Sequence, residues 1–567
     1  MNDWRVAEYL VRGCAELGVR HIFGVDGANI EDVYDAAAYH AAGSDTRVHG
    51  VVAKHEFSAA TMADGYARAT GGVGVVVATS GGGAMNLVAG LAESFASQIP
   101  VLALIGQPPR DLEGKGAFQD TSGKAGSIDA AALFSTVSRY CARVEHATDL
   151  PQQFATAVEA ALGGGPAVLL LPKDVQRSPI KTRTVRRNLP SRTIGDPADL
   201  AAVGTALKTA RTTGKTLVIA GNQVARDDAR EALRDLAVAL DAAVGVTPDA
   251  KDVYGPRDPG YCGIAGTMGH PELLDVARAT TLCLLVGTRL PATAQIPLGN
   301  IPLAAIGGQP PYLPALYAPS SNLAVSLPEL TALVREGGSD ATSSENTLHA
   351  GIPVTAMRLR PPAANGPGLH YREVMETISE LLPASCAVFA DAGNTGAAAV
   401  HHLELPVNGR FGLALGMGGM GYSFGAAIGS AFANPRPTYV IAGDGSFLMH
   451  GMEVHTAIEH ALPITFVILN NNAHAMCVIR DRLYCQNHDD RNRFHRAMLA
   501  EGMAAMFPGL PCHAVRDTDE LRAALSSPVE SGPRFIAIDC DPDEMPPFTP
   551  FLAALDLLNP LLQLPFH

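Results

Sequence analysis

The first 180 residues alternate between segments with a helical period and short, almost continuously apolar runs. Trp4 to Leu17 has apolar residues at helical spacing, whereas RHIFGV, GVGVVVATS and PVLALIG are typical of buried strands. Further helices are predicted from Ile30 to Tyr39, after His55 and over AMNLVAGLAESFA. Strands that are apolar on both faces and separated by helices indicate a doubly wound parallel sheet.

The same alternation starts again twice, which predicts an α/β protein with three doubly wound parallel-sheet domains. We expect domains at 1–180, 190–345 and 366–547, and a C-terminal tail at 548–567. SPIKTRTVRRNLPSRT is basic and contains prolines, as a linker does. QPPYLPALYAPSSN and EGGSDATSSENT predict an irregular end to the central domain.

Composition narrows the class of protein. The chain has 567 residues, of which 47% are hydrophobic and 17% charged, enough apolar material for several cores. A net charge of -14 would repel a phosphate backbone, so nucleic acid is not an expected partner. Nine cysteines without a CxxC pair indicate reduced thiols and a cytoplasmic location. We find no apolar run of about 18 residues and no signal peptide, and expect no membrane partner.

Two motifs carry the strongest chemical signal. GDGSF at Gly443 to Phe447 follows the strand TYVIA, and Asn470 with Asn471 follows ITFVIL, so both lie at carboxyl ends of predicted strands, where open α/β sheets bind ligands. Asp444, the Asn471 side chain and the backbone carbonyl of Ala473 could bind Mg²⁺, with diphosphate oxygens completing an octahedron. Either motif alone fits an ordinary turn. Together they favour a magnesium diphosphate site, with phosphates near the helix that opens after Gly445.

These motifs resemble those of thiamine diphosphate enzymes of the acetolactate synthase type, over nearly the whole chain. AFQ at Ala117 to Gln119, HE at His55 and Glu56, and GMGGMGYSFGAAIGSA also match. The resemblance implies pyrimidine-binding, central and diphosphate-binding domains in that order, with thiamine diphosphate and Mg²⁺ as cofactors. It further implies a homodimer or homotetramer with active sites at the subunit interface, because in related enzymes the Glu and the diphosphate site come from different subunits.

The resemblance also assigns roles to single residues. Glu56 would share a proton with N1' of the aminopyrimidine, which turns the 4'-amino group into a base for the thiazolium C2 proton. Met420 would bend the cofactor, although a lone Met among glycines is also typical core filler. Phe118 and Gln119 resemble the substrate-pocket pair of the synthases. The other implied cofactor contacts are Gly418, Asn394, Asp444, Gly445, Ser446 and Asn471, and a plain loop position explains Asn394 equally well.

The chain departs from the synthases in two places. They carry a Trp shortly after the NN loop, whereas this chain reads AMCVIRDRLY there, with Arg480 near that position. Arg480 could bind a carboxylate or phosphate, and it also fits a solvated helix arginine. In the central domain GTRLPAT and AAIGGQPP replace the flavin-binding runs and no GxGxxG occurs, so FAD is not expected.

The remaining pocket candidates are Ala28 and His474, whereas His401, His402 and His450 are interpreted as surface or satisfied helix histidines. The expected function is a carboligase that decarboxylates a 2-oxo acid, after which the enamine attacks a second carbonyl. No His-His pair occupies the region where simple pyruvate decarboxylases have one, which favours ligation. Alternatives are a benzaldehyde lyase-like lyase or hydrolase, or a 2-oxo acid decarboxylase. A different class is a non-catalytic protein, either a central-domain nucleotide binder or a partner subunit, whose site is vestigial.

Overall fold

The computed structural model describes residues 4–43, 47–182, 184–185, 195–336, 359–485, 489–528 and 531–555. Within them, three six-stranded parallel sheets are flanked by helices, so the prediction of three doubly wound α/β domains is confirmed. The sheets span residues 21–172, 215–319 and 387–539. The exact domain boundaries remain predictions, because much of both connecting segments lies outside the described residues.

The first domain is built around a sheet whose central strands are buried along their whole length. The strands of this sheet are β2 (His21–Val25), β3 (His49–Val52), β4 (Gly74–Ala78), β5 (Val101–Gln107), β6 (Tyr140–Arg143) and β7 (Pro166–Pro172). Two short strands, β1 (Trp4–Arg5) and β8 (Pro179–Ile180), pair with each other as a separate antiparallel sheet. Its helices are α1 (Val6–Glu16), α2 (Glu31–Gly43), α3 (Glu56–Thr70), α4 (Gly82–Ala96), α5 (Ala130–Ser135), α6 (Leu150–Leu162) and α7 (Lys173–Arg177). The order β3-β2-β4-β5-β7-β6 places the site-forming loops at the carboxyl ends of β2, β4 and β5.

The central domain repeats this plan in the order β11-β10-β9-β12-β13-β14. Its strands are β9 (Lys215–Ala220), β10 (Ala243–Val246), β11 (Tyr261–Ile264), β12 (Thr280–Val286), β13 (Leu303–Gly307) and β14 (Leu316–Pro319), and its helices are α8 (Pro197–Thr213), α9 (Gln223–Arg226), α10 (Arg230–Leu240), α11 (Glu272–Arg278) and α12 (Leu323–Arg335). The expectation of an irregular end was wrong for β14, which pairs with β13. Prolines are compatible with such an edge strand, because one side of its backbone needs no partner.

The third domain has the order β16-β15-β17-β18-β20-β19. Its strands are β15 (Ala387–Ala390), β16 (Arg410–Leu413), β17 (Thr438–Gly443), β18 (Ile464–Asn470), β19 (Cys512–Val515) and β20 (Arg534–Asp539). Its helices are α13 (Tyr371–Leu381), α14 (Asn394–His402), α15 (Tyr422–Ala433), α16 (Asp444–His450), α17 (Val454–Glu459), α18 (Ala475–Tyr484), α19 (Leu499–Met506), α20 (Thr518–Ser526) and α21 (Thr549–Ala554). The neighbouring strands β17 and β18 bring the two predicted motifs to one edge of the sheet.

Helices α3 and α15 join the first and third domains at very close range. A Cβ atom on Gly65 would lie 2.0 Å from the Ala426 carbonyl oxygen, and one on Gly429 would lie 1.8 Å from that of Met62. Only glycine lets the two backbones approach so closely. Next to this crossing the buried Asp64 accepts hydrogen bonds from the Tyr422 hydroxyl at 2.6 Å and from Ser94.

Several other expectations can be compared with the fold. The nine cysteines, all within the described residues, are free. No helix in the described part of the chain is long and apolar enough to cross a membrane. Of the predicted tail, α21 packs Phe551 and Leu552 into the protein, and Thr549 donates a backbone hydrogen bond to Thr267 of the central domain. Residues 556–567, most of the basic linker and the segment 337–358 lie outside the described residues.

Candidate active site

The diphosphate half of the candidate site lies at the carboxyl ends of β17 and β18. Gly443 pairs with Leu469 in the parallel ladder, so Asp444, the first residue of α16, and Asn471, directly after β18, meet at the same edge. Asp444 is only 2% exposed. Burial raises the pKa of its carboxyl to about 6, although backbone N–H groups, including those of Gly445 and Ala473, act in the opposite direction.

One side chain that the sequence analysis did not identify, Tyr371, holds the side-chain amides of both Asn394 and Asn471. The Tyr371 hydroxyl accepts hydrogen bonds from Nδ2 of Asn471 at 3.2 Å and from Nδ2 of Asn394 at 3.4 Å. Oδ1 of Asn471 accepts from the Ala473 backbone at 3.1 Å. Oδ1 of Asn394 is buried and has no hydrogen-bond partner within the described part of the chain. Tyr371 therefore fixes both amides and leaves one oxygen for a ligand.

Asp391 is a second residue that the sequence analysis missed. It follows β15 and accepts hydrogen bonds from the backbone of Gly421 at 2.9 Å, from the backbone and hydroxyl of Ser423, and from the Ser446 hydroxyl at 2.6 Å. The Ser446 hydroxyl, predicted to contact the cofactor, is thus directed towards Asp391. The sequence could have indicated a role for Asp391, because it directly follows the strand AVFA just as Asp444 directly follows the strand TYVIAG.

Glycines leave room above this half of the site. A Cβ atom on Gly445 would lie 2.6 Å from Nδ1 of His474 and 3.3 Å from the Met420 terminal methyl, so both side chains cover Gly445. Gly393 and Gly418 have φ angles of 83° and 66°, and nothing lies within 4 Å of the Cβ positions on either residue. The predicted residues Met420, Gly445 and His474 are therefore neighbours, beside open space.

The pyrimidine half gathers around the carboxyl end of β4. Glu56 begins α3 and accepts a hydrogen bond from Nδ2 of Asn86 at 2.9 Å. Gln119, with a φ of 60°, accepts from the Thr79 hydroxyl at 3.3 Å. Thr79 also accepts a hydrogen bond from the backbone of Asn29, next to the exposed Ala28. The structure thus brings Ala28, Glu56 and Gln119 into one neighbourhood, and Phe118 beside Gln119 is 79% exposed.

The structure also describes the remaining predicted residues. Arg480 is exposed on α18, whose buried residues include Val478 and Ile479. His401 and His402 are buried, not on the surface. His401 is a satisfied helix histidine, with Nε2 accepting from Leu359 at 2.9 Å and Nδ1 3.1 Å from the Met268 carbonyl oxygen, and burial lowers its pKa. His450 lies between the first and third domains, where its ring stacks on Phe57.

The residues of the diphosphate half fit a cation together with phosphate oxygens. Within the described residues, backbone N–H groups and no Lys or Arg act on the buried Asp444 carboxyl, and a buried carboxylate is costly without a cation. The described residues contain no cluster of three or more His, Cys, Asp or Glu that could hold a metal alone. A metal there would take amide, backbone and phosphate oxygens, for which the Asn471 amide, the Ala473 carbonyl and the open space at Gly393 are suited.

Comparison with known proteins agrees with this chemistry. Three family models match: "Thiamine pyrophosphate enzyme, N-terminal TPP binding domain" over residues 4–127, the central domain of the same enzymes over 200–304, and the C-terminal TPP binding domain over 391–539. The chain is 27% identical to a probable acetolactate synthase large subunit of Methanocaldococcus jannaschii, covering 96% of this chain and 93% of the relative. It is 27% identical to the acetolactate synthase isozyme 2 large subunit of Escherichia coli, with 94% and 95% covered. With all three domains matched in order, the chain belongs to the thiamine pyrophosphate enzymes and is similar along almost its whole length to acetolactate synthase large subunits.

Proposed function

We propose that this protein is a thiamine diphosphate- and Mg²⁺-dependent carboligase that decarboxylates a 2-oxo acid donor and joins the remaining fragment to a second carbonyl compound. The observation that carries the proposal is the presence of both cofactor half-sites, around Glu56 and around Asp444, in a chain similar end to end to acetolactate synthase large subunits. Intact half-sites argue against a vestigial partner subunit.

Each half-site has a separate task in this proposal. Asp444, Asn471 and the Ala473 carbonyl would bind Mg²⁺, while Asn394, Gly445 and Ser446 would border the diphosphate. Glu56 would hold the proton at N1', and Gly418 and Met420 would orient the pyrimidine and thiazolium rings. When bound, the cofactor supplies the electron sink that the protein lacks.

We further propose that the active form is a homodimer or homotetramer whose partner subunit completes each site. In this chain Glu56 accepts a hydrogen bond from Asn86 of its own domain. Large apolar side chains near both half-sites are exposed: Phe118 by 79%, Met417 by 61% and Leu448 by 58%. Large apolar side chains left exposed on a single chain are typical of an interface, and a second copy would cover them symmetrically.

On the substrate side, Phe118, Gln119 and Ala28 are proposed to contact the donor or acceptor, with His474 and Arg480 as further candidates. Arg480→Ala should raise the KM for an anionic acceptor while carbon dioxide release stays close to normal. An unchanged KM for all anionic acceptors would remove Arg480 from the site.

We also propose that FAD is not a cofactor, which an absorbance spectrum of the purified protein tests, and that the enzyme acts in the cytoplasm.

The proposed function is tested by incubating the holoenzyme with a panel of 2-oxo acids, alone and with a second aldehyde or 2-oxo acid, and identifying products by mass spectrometry. A coupled product that requires Glu56 supports the proposal, and Glu56→Gln should abolish it while the protein still binds thiamine diphosphate. Release of free aldehyde alone would indicate a decarboxylase. Cleavage of an added 2-hydroxy ketone without ligation would indicate a lyase or hydrolase.

A further inference from the structure

Two buried glutamates outside the predicted site connect the first and third domains. Each lies in one of these domains and accepts hydrogen bonds from the backbone of the other. Glu453, between α16 and α17, is 1% exposed. Its Oε1 accepts backbone hydrogen bonds from Lys54 at 2.8 Å and His55 at 3.0 Å, and its Oε2 accepts from the Thr456 hydroxyl at 2.8 Å. Lys54 and His55 immediately precede Glu56, so a residue of the diphosphate domain holds the backbone that leads into the proposed proton-carrying residue.

Glu93 on α4 makes the converse connection and is 2% exposed. Its Oε2 accepts backbone hydrogen bonds from Met417 at 2.6 Å and Gly418 at 3.3 Å. Its Oε1 accepts from the Gly416 backbone at 3.1 Å and from the Ser97 hydroxyl at 2.8 Å. A residue of the pyrimidine domain thus holds the loop that presents Gly418 and, two residues later, Met420.

We infer that Glu93 and Glu453 are positioning residues for the reaction, each setting from the opposite domain the backbone that carries a cofactor-contacting group. The inference rests on the proposed function. A buried carboxylate costs free energy, and an apolar contact would join the domains at lower cost. The donors are backbone N–H groups, so the two carboxylates fix main-chain position rather than side-chain rotamers. A displacement of about 1 Å at such a place can cost up to a hundred-fold in rate.

The two glutamates should respond differently to replacement by glutamine. At Glu453 one oxygen serves both backbone donors, and the amide of Glu453→Gln can keep that oxygen in place while its NH₂ faces the Thr456 hydroxyl, which can also accept. At Glu93 both oxygens serve backbone donors, so either orientation of the amide in Glu93→Gln turns an NH₂ group towards an N–H group. Glutamine should therefore rescue position 453 and fail at position 93.

The test measures hydrogen–deuterium exchange at C2 of bound thiamine diphosphate by NMR, with cofactor affinity by calorimetry and folding by thermal melting. In the fully loaded protein, Glu453→Ala should slow exchange about ten-fold or more with cofactor affinity changed less than about three-fold, and Glu453→Gln should stay within about three-fold of wild type. Glu93→Ala and Glu93→Gln should both slow exchange. Glu459→Ala is the matched control, since Glu459 binds the Lys54 side chain at 2.6 Å and should leave exchange unchanged.

Equal exchange in wild type and folded Glu453→Ala, or equal slowing by alanine and glutamine at 453, would overturn the inference. If Glu453→Ala does not fold, Glu453→Asp, which cannot reach both donors, takes its place with the same expectation. Glu56→Gln separates the two proposals. If it leaves exchange unchanged, the proposed function fails, whereas slow exchange in Glu56→Gln beside normal exchange in Glu453→Ala rejects only the positioning role.

Discussion

Tyr371 contacts both amides of the diphosphate half through one hydroxyl, so a single oxygen atom orients two candidate cofactor contacts. Tyr371→Phe removes this acceptor and leaves two Nδ2 groups without a partner. Leaving a buried polar group unsatisfied costs about 1 to 3 kcal/mol. We expect thiamine diphosphate to bind about ten-fold more weakly or worse, measured by calorimetry with saturating Mg²⁺.

Tyr254→Phe is the control for this prediction. The Tyr254 hydroxyl donates to the Pro259 carbonyl within the central domain, away from both half-sites. Its loss should lower the melting temperature without changing cofactor affinity. Equal affinity in wild type and Tyr371→Phe would mean that the amides are held by other contacts.

Asp444 combines deep burial with the absence of a described cationic partner, which makes it the main electrostatic anchor of the proposed metal. Asp444→Ala should weaken Mg²⁺ and thiamine diphosphate binding together, because it removes an anionic ligand that the proposed metal would need in order to hold the diphosphate. Calorimetric titration of each ligand, alone and with the other present, measures both effects. Full activity of wild type after chelation and dialysis would contradict the metal site itself.

At the scale of elements, the crossing of α3 and α15 depends on small residues along both helices. A Cβ atom on Gly65 would lie 2.0 Å from backbone oxygen, which a side-chain movement cannot relieve. Gly65→Ala should therefore destabilise the protein by about 1 to 3 kcal/mol, or more, through overpacking. The displaced α3 also carries Glu56 at its first turn, so activity should fall together with the free energy of unfolding.

Gly502→Ala is the control for Gly65→Ala, because it makes the same change at a helix position with no close neighbour. Gly502 lies in α19, is exposed, and has nothing within 4 Å of its Cβ position. Alanine should be neutral or stabilising there by up to about 1 kcal/mol, since glycine is the poorer helix former. Urea unfolding of the two variants measures the contrast, and similar values would show that α3 and α15 can separate at little cost.

At the scale of the whole molecule, His450 links the stability of the domain interface to pH. Its ring stacks on Phe57 at 4.4 Å between centroids, and its Nδ1 lies 3.4 Å from the Ser58 hydroxyl. Burial lowers the pKa of His450 to about 4, nearby His55 acts in the same direction and Asp391 in the opposite one. The folded protein thus keeps the ring neutral at pH values where the unfolded chain, with a pKa near 6.5, binds a proton.

The consequence is loss of stability in acid. The contribution of His450 should be complete above about pH 6.5 and fall as the pH drops towards 4, by about 1 to 2 kcal/mol because part of the ring remains in contact with solvent. His450→Gln should flatten this part of the dependence, whereas replacement of the exposed His146 should not. Melting temperatures between pH 7.5 and 4.5 measure the effect, and an unchanged slope in His450→Gln would contradict it.

The three sheets and the meeting of GDGS with NN at one sheet edge could be predicted from local sequence alone. Both follow from local patterns, because apolar runs and helical spacing specify the elements, and parallel neighbours end at one edge of a sheet. Local patterns did not predict β14, because its sequence contains prolines, which are typical of turns but are also compatible with an edge strand.

How the two candidate half-sites are supported could be seen only in the folded protein. The bond from Tyr371 spans 100 residues to Asn471, Glu93 reaches Met417 across 324, and Glu453 reaches His55 across 398. A glutamate in a helix or turn has the same local pattern whether it is solvated or buried against another domain's backbone. Which role it has depends on how the domains pack, and that packing is set by the sum of many distant contacts, among them the glycine-lined crossing of α3 and α15.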